Sequence, residues 1–502
     1  MNLVQKLAER AAQSPDQLAM IEGVGLRQRA LTFSELTAQV CAGSAELRRR
    51  GVGVGDWVMM LHPVSIDLYV AMLAAMRVGA VVMLVDPGAG VAGFRRAVKR
   101  HRPVAWSGHG KGVMMKWLVP ELWSVPRARV MRRSEQNMEE ADDALAEVGD
   151  EAPALVTFTS GSTGVPKAAV RSHGFLLRQN QVLGRSIALT PGEVDLVTMP
   201  VFALANLAHG VTSVLAAADT RDLAAQIPSE QVTRCAVSPA YLTEWLDAKL
   251  PLHRMKKIFT GGGPVFPSLL ERVRKAVPDA ELAAVYGSTE AEPIAHLEAD
   301  EMTAEDIKAM RAGEGLLTGL PVAEIQLAII RDQWGEPIPT QDAASFEAMR
   351  QPVGKAGEIV VTGDHVLSGY LDGVGDEETK FRVGGQVWHR TGDAGKLDAR
   401  GRLWLLGRCT AVIRDARGEV YPIAIETQLS FYSWVRRCAV LEVDGVRLLV
   451  VETDATEKFE NLSRPEGIDE IRRLDRIPVD RRHRAKIDYP ALRAMKYSLF
   501  QV

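Results

Sequence analysis

Thr157-Phe158-Thr159-Ser160-Gly161-Ser162-Thr163-Gly164-Val165-Pro166-Lys167 follows the strand-like run Ala154-Leu155-Val156. Glycines let backbone N–H groups come close to an anion, four hydroxyls (Thr159, Ser160, Ser162, Thr163) can donate to its oxygens, and Lys167 adds a mobile positive charge. This is not the P-loop pattern, in which the lysine follows glycine and precedes Ser or Thr; Lys167 follows Pro166 and precedes Ala168. The residues alone leave two readings open, a phosphate cradle and a plain Ser/Gly loop.

Three further segments bear on that choice. Ile258-Phe259 runs into Thr260-Gly261-Gly262-Gly263-Pro264, where three missing side chains leave room for a flat ring or a backbone contact. Ala283-Ala284-Val285 leads into Tyr286-Gly287-Ser288-Thr289-Glu290, which offers an aromatic face, hydroxyls and a carboxylate suited to a hard cation. Trp388-His389-Arg390-Thr391-Gly392-Asp393 places an aspartate at a glycine turn and is followed by Gly401-Arg402-Leu403-Trp404-Leu405-Leu406-Gly407-Arg408. Alone, the tyrosine reads equally as a strand end and the aspartate as a turn cap.

In this order the four segments resemble the adenylate-forming superfamily of acyl-CoA synthetases, luciferases and nonribosomal-peptide adenylation domains. The resemblance spans most of the chain. It includes Gly357-Glu358-Ile359-Val360-Val361-Thr362-Gly363 with Gly369-Tyr370, Gly418-Glu419-Val420-Tyr421-Pro422 with Ile425-Glu426, and Ala485-Lys486-Ile487-Asp488. The fold it implies is α/β: a large N-terminal domain of layered, mostly parallel sheets flanked by helices (1–408), and a small mobile α+β C-terminal domain (409–502).

The implied chemistry is attack of a carboxylate on the α-phosphorus of ATP, giving acyl-AMP and pyrophosphate, then transfer to CoA. The acid is expected to be a medium- or long-chain fatty acid, and an acyl carrier protein is a further possible acceptor. Two anions repel each other here by about 4 kcal/mol per unit pair at ~4 Å and an effective dielectric near 20. Lys486 matches the family's lysine that bridges carboxylate and phosphate. By the same residue-by-residue transfer, Ser162, Thr163 and Lys167, in the loop Thr159-Ser160-Gly161-Ser162-Thr163-Gly164, grip the β and γ phosphates. Thr289, in Tyr286-Gly287-Ser288-Thr289-Glu290, meets the α-phosphate and Glu290 holds Mg²⁺. Tyr286 lies against adenine in a pocket made by Gly261, Gly262 and Gly263, and Asp393 with Arg408 holds the ribose.

The chain departs from the family in three places. Thr410 and Ala411 stand where many relatives carry acidic residues, one of them at the hinge; Lys486 follows Ala485 where glycine is usual; and Ala203 stands where several aryl and acyl ligases carry histidine. Pro200-Val201-Phe202-Ala203-Leu204 and the Pro478-Val479-Asp480-Arg481-Arg482-His483 lead-in to Lys486 are similar to bacterial long-chain fatty-acid ligase relatives, including olefin-pathway β-lactone synthetases. There a β-hydroxyl attacks the activated carboxyl internally and no thiol is needed. A nucleotide-binding scaffold of the same fold without turnover is a third alternative. The run Phe202 to Val214 is apolar with small residues, which suits a lipid chain or ordinary core packing, and His209 within it reads equally as a core histidine.

Composition fits and excludes. A chain of 502 residues can bury more than one core. A net charge of -3 gives no general pull toward nucleic acid or an anionic membrane, so binding has to come from local sites. Arg472, Arg473, Arg476, Arg481, Arg482 and Arg484 form a basic run that suits CoA phosphates or a carrier protein, or is simply solvated. Cys41, Cys235, Cys409 and Cys438 form no metal or disulfide pattern, so a reducing cytoplasm is expected. Met1 to Arg10 reads as amphipathic, unlike a secretory signal. Ile66 to Val85, interrupted by Asp67, Arg77 and Gly79, reads as a buried helix and a strand, not a membrane span. Strands are expected at Trp57 to Leu61 and Val81 to Val85, and helices at Asp67 to Arg77 and Ser268 to Val277.

Overall fold

The computed structural model describes residues 1–86, 89–130, 144–159, 167–479 and 486–495. The chain forms two compact units. The first takes Met1–Ala236, Leu250–Lys256 and Asp364–Asp376; the second takes Val237–Lys249, Lys257–Gly363 and Glu377–Val502.

In the first unit, a five-stranded sheet runs in the order Ala105–Gly108, Trp57–Leu61, Val81–Val85, Pro153–Thr159, Lys167–Ser172. The first four strands are parallel and the last is antiparallel to its neighbour. Both faces are covered, which is why these strands read as nearly continuous apolar runs. Val58, Met60 and Val82 pack with the helix Ile66–Arg77 on one face, and Met59, Leu61 and Met83 pack with Phe94, Ala97 and Val98 of the helix Gly90–Arg100 on the other. Ser65 caps the Ile66–Arg77 helix by accepting from the Leu68 N–H at 3.3 Å. The greasy stretch is therefore a buried helix and strand. Among the described residues no helix is long and apolar enough to cross a membrane. A second, mostly parallel set joins Val194–Val197 to Thr212–Leu215 and to residues 234–236, with Leu18–Glu22 and the antiparallel Arg29–Thr32 beyond.

The second unit is mixed. Its main sheet runs Gln326–Ile330, Gly357–Thr362, Gln386–Leu397, Leu403–Arg408, Leu316–Pro321, Ala291–Glu298, Glu281–Ser288, Lys257–Gly261. Only the last pair is parallel; the others are antiparallel. The sheet bends where Gly319 sits at φ +89 against the His296 carbonyl, with register shifts at Leu317/Gly319 and Ala394/Gly395.

Beyond Arg408 come the hairpin Ile413–Asp415/Gly418–Val420 and a three-stranded sheet of Arg437–Val443, Val446–Glu452 and Glu470–Leu474. Alternation along its strands sends Cys438, Val440, Leu449 and Val451 toward Ile425 and Leu429 of the helix Pro422–Ser430, and Ala439, Leu441, Leu448 and Val450 toward Leu492 of the helix Tyr489–Ala494. All four cysteines are buried, and none is in a disulfide.

Candidate functional site

The strand Glu281–Ser288 turns into Ala291–Glu298 through two residues, Thr289 and Glu290, because Ser288 pairs directly with Ala291. The Ser288 hydroxyl accepts from the Glu290 and Ala291 N–H groups at 3.2 and 3.3 Å. This fixes Thr289 and Glu290 at a hairpin tip.

Asp393 and Arg408 are direct cross-strand partners on adjacent strands. Arg408 Nη1 lies 3.2 Å from Asp393 Oδ1 and donates to the Thr391 carbonyl at 3.0 Å. The Tyr286 hydroxyl donates to Asp393 Oδ2 at 2.7 Å, across 107 residues of sequence. The Thr391 hydroxyl accepts the Asp393 N–H at 3.1 Å and donates to the Ile359 carbonyl at 2.9 Å, so the carboxylate is held through backbone and side chain. Its side chain is 17% exposed, whereas that of Arg408 is 51% exposed and open to solvent. The Asp393 carboxylate first, then Tyr286 and Glu290, raise the Arg408 guanidinium above its ordinary range. Burial first, then Asp393, keeps the Tyr286 phenol well above its own. Tyr286, Glu290, Asp393 and Arg408 are thus one electrostatic neighbourhood.

The glycine run does two different jobs. A Cβ at Gly261 would run into the Val285 carbonyl oxygen of the parallel neighbour, so Gly261 is required by close strand packing. Gly262, at φ +81, borders open space, as a pocket wall would. Gly263 follows it, half-buried, in the same bend, and Gly287 lies inside the Glu281–Ser288 strand.

Of the hydroxyl-rich loop, Ser160, Gly161, Ser162, Thr163 and Gly164 lie outside the described residues. Its ends are backbone partners, Thr159 opposite Lys167. The Lys167 ammonium lies 5.7 Å over the Tyr370 ring, and its stem runs against Gly375.

Lys486 is exposed and enters a segment tied down on both sides. Val479 bridges Ile487, the Asp488 N–H donates to the Pro478 carbonyl at 3.0 Å, and Asp488 caps the Tyr489–Ala494 helix. The Tyr489 hydroxyl then donates to the buried Glu426 at 2.7 Å. Thr410 and Ala411 form a short 3₁₀ turn with Cys409 directly after Arg408.

Asp393, expected at a glycine turn, lies within the strand Gln386–Leu397, and sequence reading missed what supports it there. Glu358 and Arg390, both fully buried, form a two-pronged ion pair at 2.9 and 2.7 Å, and Arg390 also donates to the Glu336 carbonyl at 2.6 Å. The Trp334 ring packs on Gly392, next to Asp393. The available signal was the lone charge Glu358 in the apolar strand Gly357–Thr362. His209 is half-buried, its Nδ1 2.9 Å from the Ala205 carbonyl.

The described residues contain no cluster of three or more His, Cys, Asp or Glu side chains that would cage a metal. One carboxylate at a hairpin tip fits the other mode of holding Mg²⁺, in which a single protein carboxylate shares the ion with substrate phosphates.

A family model described as AMP-binding enzyme matches residues 7–371. The chain is 31% identical to an olefin beta-lactone synthetase of Stenotrophomonas maltophilia (strain K279a), over 97% of this chain and 96% of that protein. It is 28% identical to a feruloyl-CoA synthase of an Amycolatopsis species, over 87% and 85%. In fold it is similar to the ATP-bound MatB protein of Rhodopseudomonas palustris, with a TM-score of 0.80 at 19% identity over 100% and 99% of the two chains.

Proposed function

The chain belongs to the AMP-binding enzyme family, and from that premise we propose that it activates a long-chain β-hydroxy acid with ATP and closes it to a β-lactone. Adenylate-forming activation of an acid is the family's chemistry; the lactone step is the finer reading. Its support is similarity along nearly the whole chain to an olefin beta-lactone synthetase, together with Ala203 and the Arg-rich lead-in to Lys486.

The observation that carries activation is the Tyr286–Asp393–Arg408 cluster beside Glu290. In this proposal Asp393 accepts both ribose hydroxyls, and Arg408 keeps that carboxylate aimed. Tyr286, anchored by its hydroxyl, offers a ring face to adenine beside Gly262. Thr289 donates to the α-phosphate and Lys167 neutralises the outer phosphates with Ser162 and Thr163. Glu290 holds Mg²⁺, which would supply charge neutralisation at the phosphate oxygens. Lys486, on a small C-terminal domain of residues 409–502, screens the approaching carboxylate.

A carboxylate oxygen attacks the α-phosphorus, the bond to the bridging oxygen breaks, and pyrophosphate leaves. The β-hydroxyl oxygen then attacks the acyl carbon, loses its proton, and AMP departs as the four-membered ring closes. A reducing cytoplasm belongs to the proposal, on four buried cysteines outside any disulfide.

Transfer to CoA is the second reading, favoured by the similarity to a feruloyl-CoA synthase. Mass spectrometry of products from a long-chain β-hydroxy acid, with and without CoA, tests both. The lactone reading expects loss of water with AMP release in the absence of CoA. A thioester formed only with CoA replaces it with the second reading, and no AMP from any acid rejects activation.

A further inference from the structure

Residues 91–129 carry nine Lys or Arg (Arg95, Arg96, Lys99, Arg100, Arg102, Lys111, Lys116, Arg127 and Arg129) and a single acid, Glu121, in a chain whose net charge is -3. The same segment holds the helix Lys111–Leu118, with Met114, Trp117 and Leu118 at i, i+3 and i+4. These three are 66%, 73% and 54% exposed, and Trp123, just beyond, is 57% exposed. The Trp123 indole donates to the Lys116 carbonyl at 3.1 Å, which fastens it to the end of that helix. Four large apolar side chains within ten residues, all more than half exposed, are unlike the scattered single ones on ordinary surfaces.

Cations ring this face by direct contact. Arg95 and Lys99 reach Glu121, two residues from Trp123, at 3.0 and 3.5 Å. Arg102 donates to the Ser124 hydroxyl at 2.7 Å. Lys116 and Arg127 both lie over the Trp106 ring, at 5.6 and 5.3 Å. The one acid is thus already matched by two cations, and the surplus charge is positive.

We propose that this face is a membrane-docking surface, seating Met114, Trp117, Leu118 and Trp123 at the interface of an anionic lipid bilayer while Lys99, Arg102 and their neighbours meet the headgroup phosphates. Indoles favour the headgroup level, where an apolar ring and a polar N–H are both served. Basic residues beside them add attraction to anionic lipid, and apolar burial plus charge is the combination that holds peripheral proteins. A nucleic-acid partner would use the cations and leave the helix's apolar face without a role. The inference does not depend on the proposed activity, because its readout is binding.

The test is co-sedimentation of the full chain with vesicles of phosphatidylcholine containing about one third phosphatidylglycerol. The wild type is expected to bind, and to bind about tenfold more weakly to pure phosphatidylcholine or in ~1 M salt, where the Debye length falls to about 3 Å. Trp117→Ser with Trp123→Ser, and separately Lys99→Glu with Arg102→Glu, each lower binding about tenfold or more while pyrophosphate exchange with a short soluble acid stays at the wild-type rate. Absence of wild-type binding overturns the proposal, as does equal binding to neutral vesicles. So does a wild-type dimer in light scattering that the serine pair dissolves, which would make the face a contact between two copies.

Discussion

Glu426 offers a sharp test of how the segment carrying Lys486 is held. It lies on the helix Pro422–Ser430, is 4% exposed, and has the Tyr489 hydroxyl as its donor at 2.7 Å. Burial pushes its carboxyl up from 4.5 to about 7, against the opposing pull of that hydrogen bond. The folded protein therefore holds a proton that the unfolded chain has already released. The resulting stabilisation is fully present below pH 4.5 and is lost as pH rises through about 7. At 1.36 kcal/mol per unit, the window is worth about 3 kcal/mol. Glu426→Gln keeps the shape and an acceptor for Tyr489 but removes the titration. The stability difference between wild type and variant, followed by melting from pH 4.5 to 8, should drift by roughly 6 °C at about 2 °C per kcal/mol. Parallel curves across that range would refute the reasoning.

Lys486→Ala should slow acyl-AMP formation by about 10² to 10³, the scale for removing one aimed electrostatic donor, read by pyrophosphate exchange. Asp393→Ala removes the acceptor proposed for the ribose and strands the Tyr286 hydroxyl; the KM for ATP should rise by about tenfold or more, with weaker discrimination against 2′-deoxy-ATP. Arg390→Met leaves the fully buried Glu358 carboxylate without its partner and should cost about 3 to 5 kcal/mol in denaturant unfolding. At the acid end, Arg402 first, with Thr303, holds the Asp306 carboxyl down from 3.8 to about 2. That contribution is present above pH 4 and fades as pH falls toward about 2, by roughly 1 to 2 kcal/mol after screening, and Asp306→Asn should flatten the acid limb of the melting profile.

Much of the first unit was legible because its physics is local. Val58-Met59-Met60-Leu61 and Val81-Val82-Met83-Leu84-Val85 are short apolar runs bounded by glycine or proline, and strands form at Trp57–Leu61 and Val81–Val85 as expected. The helix expected from Ser268 begins at Pro267, where proline's fixed φ and missing N–H suit a first turn. Less legible was the antiparallel build of the second unit. The strand Gly357–Thr362 shows why: it is antiparallel to both neighbours yet buried at all six positions, so it carries no alternation to mark an antiparallel ladder.

The site was less legible than the first unit. The two-residue turn at Thr289 and Glu290 was not read from the sequence, which has no glycine or asparagine there, although such a turn is a local event. That Tyr286 meets Asp393 cannot be read from the residues around them, since 107 residues and a bent sheet lie between them; only likeness to a family put both on one nucleotide. Glu358 and Arg390 show why the remainder escaped. A charged residue in a strand is unremarkable in sequence, and its meaning depends on whether an opposite charge is buried beside it. Here the pair sits on neighbouring strands with both side chains fully buried, and Arg390 also donates through Nη1 to the Glu336 carbonyl. A partly satisfied guanidinium in that position would be costly, so the strand segment bearing Gly392 and Asp393 has one low-energy place to rest. The aim of the carboxylate proposed to hold the ribose thus rests on a buried ion pair on the strands behind it.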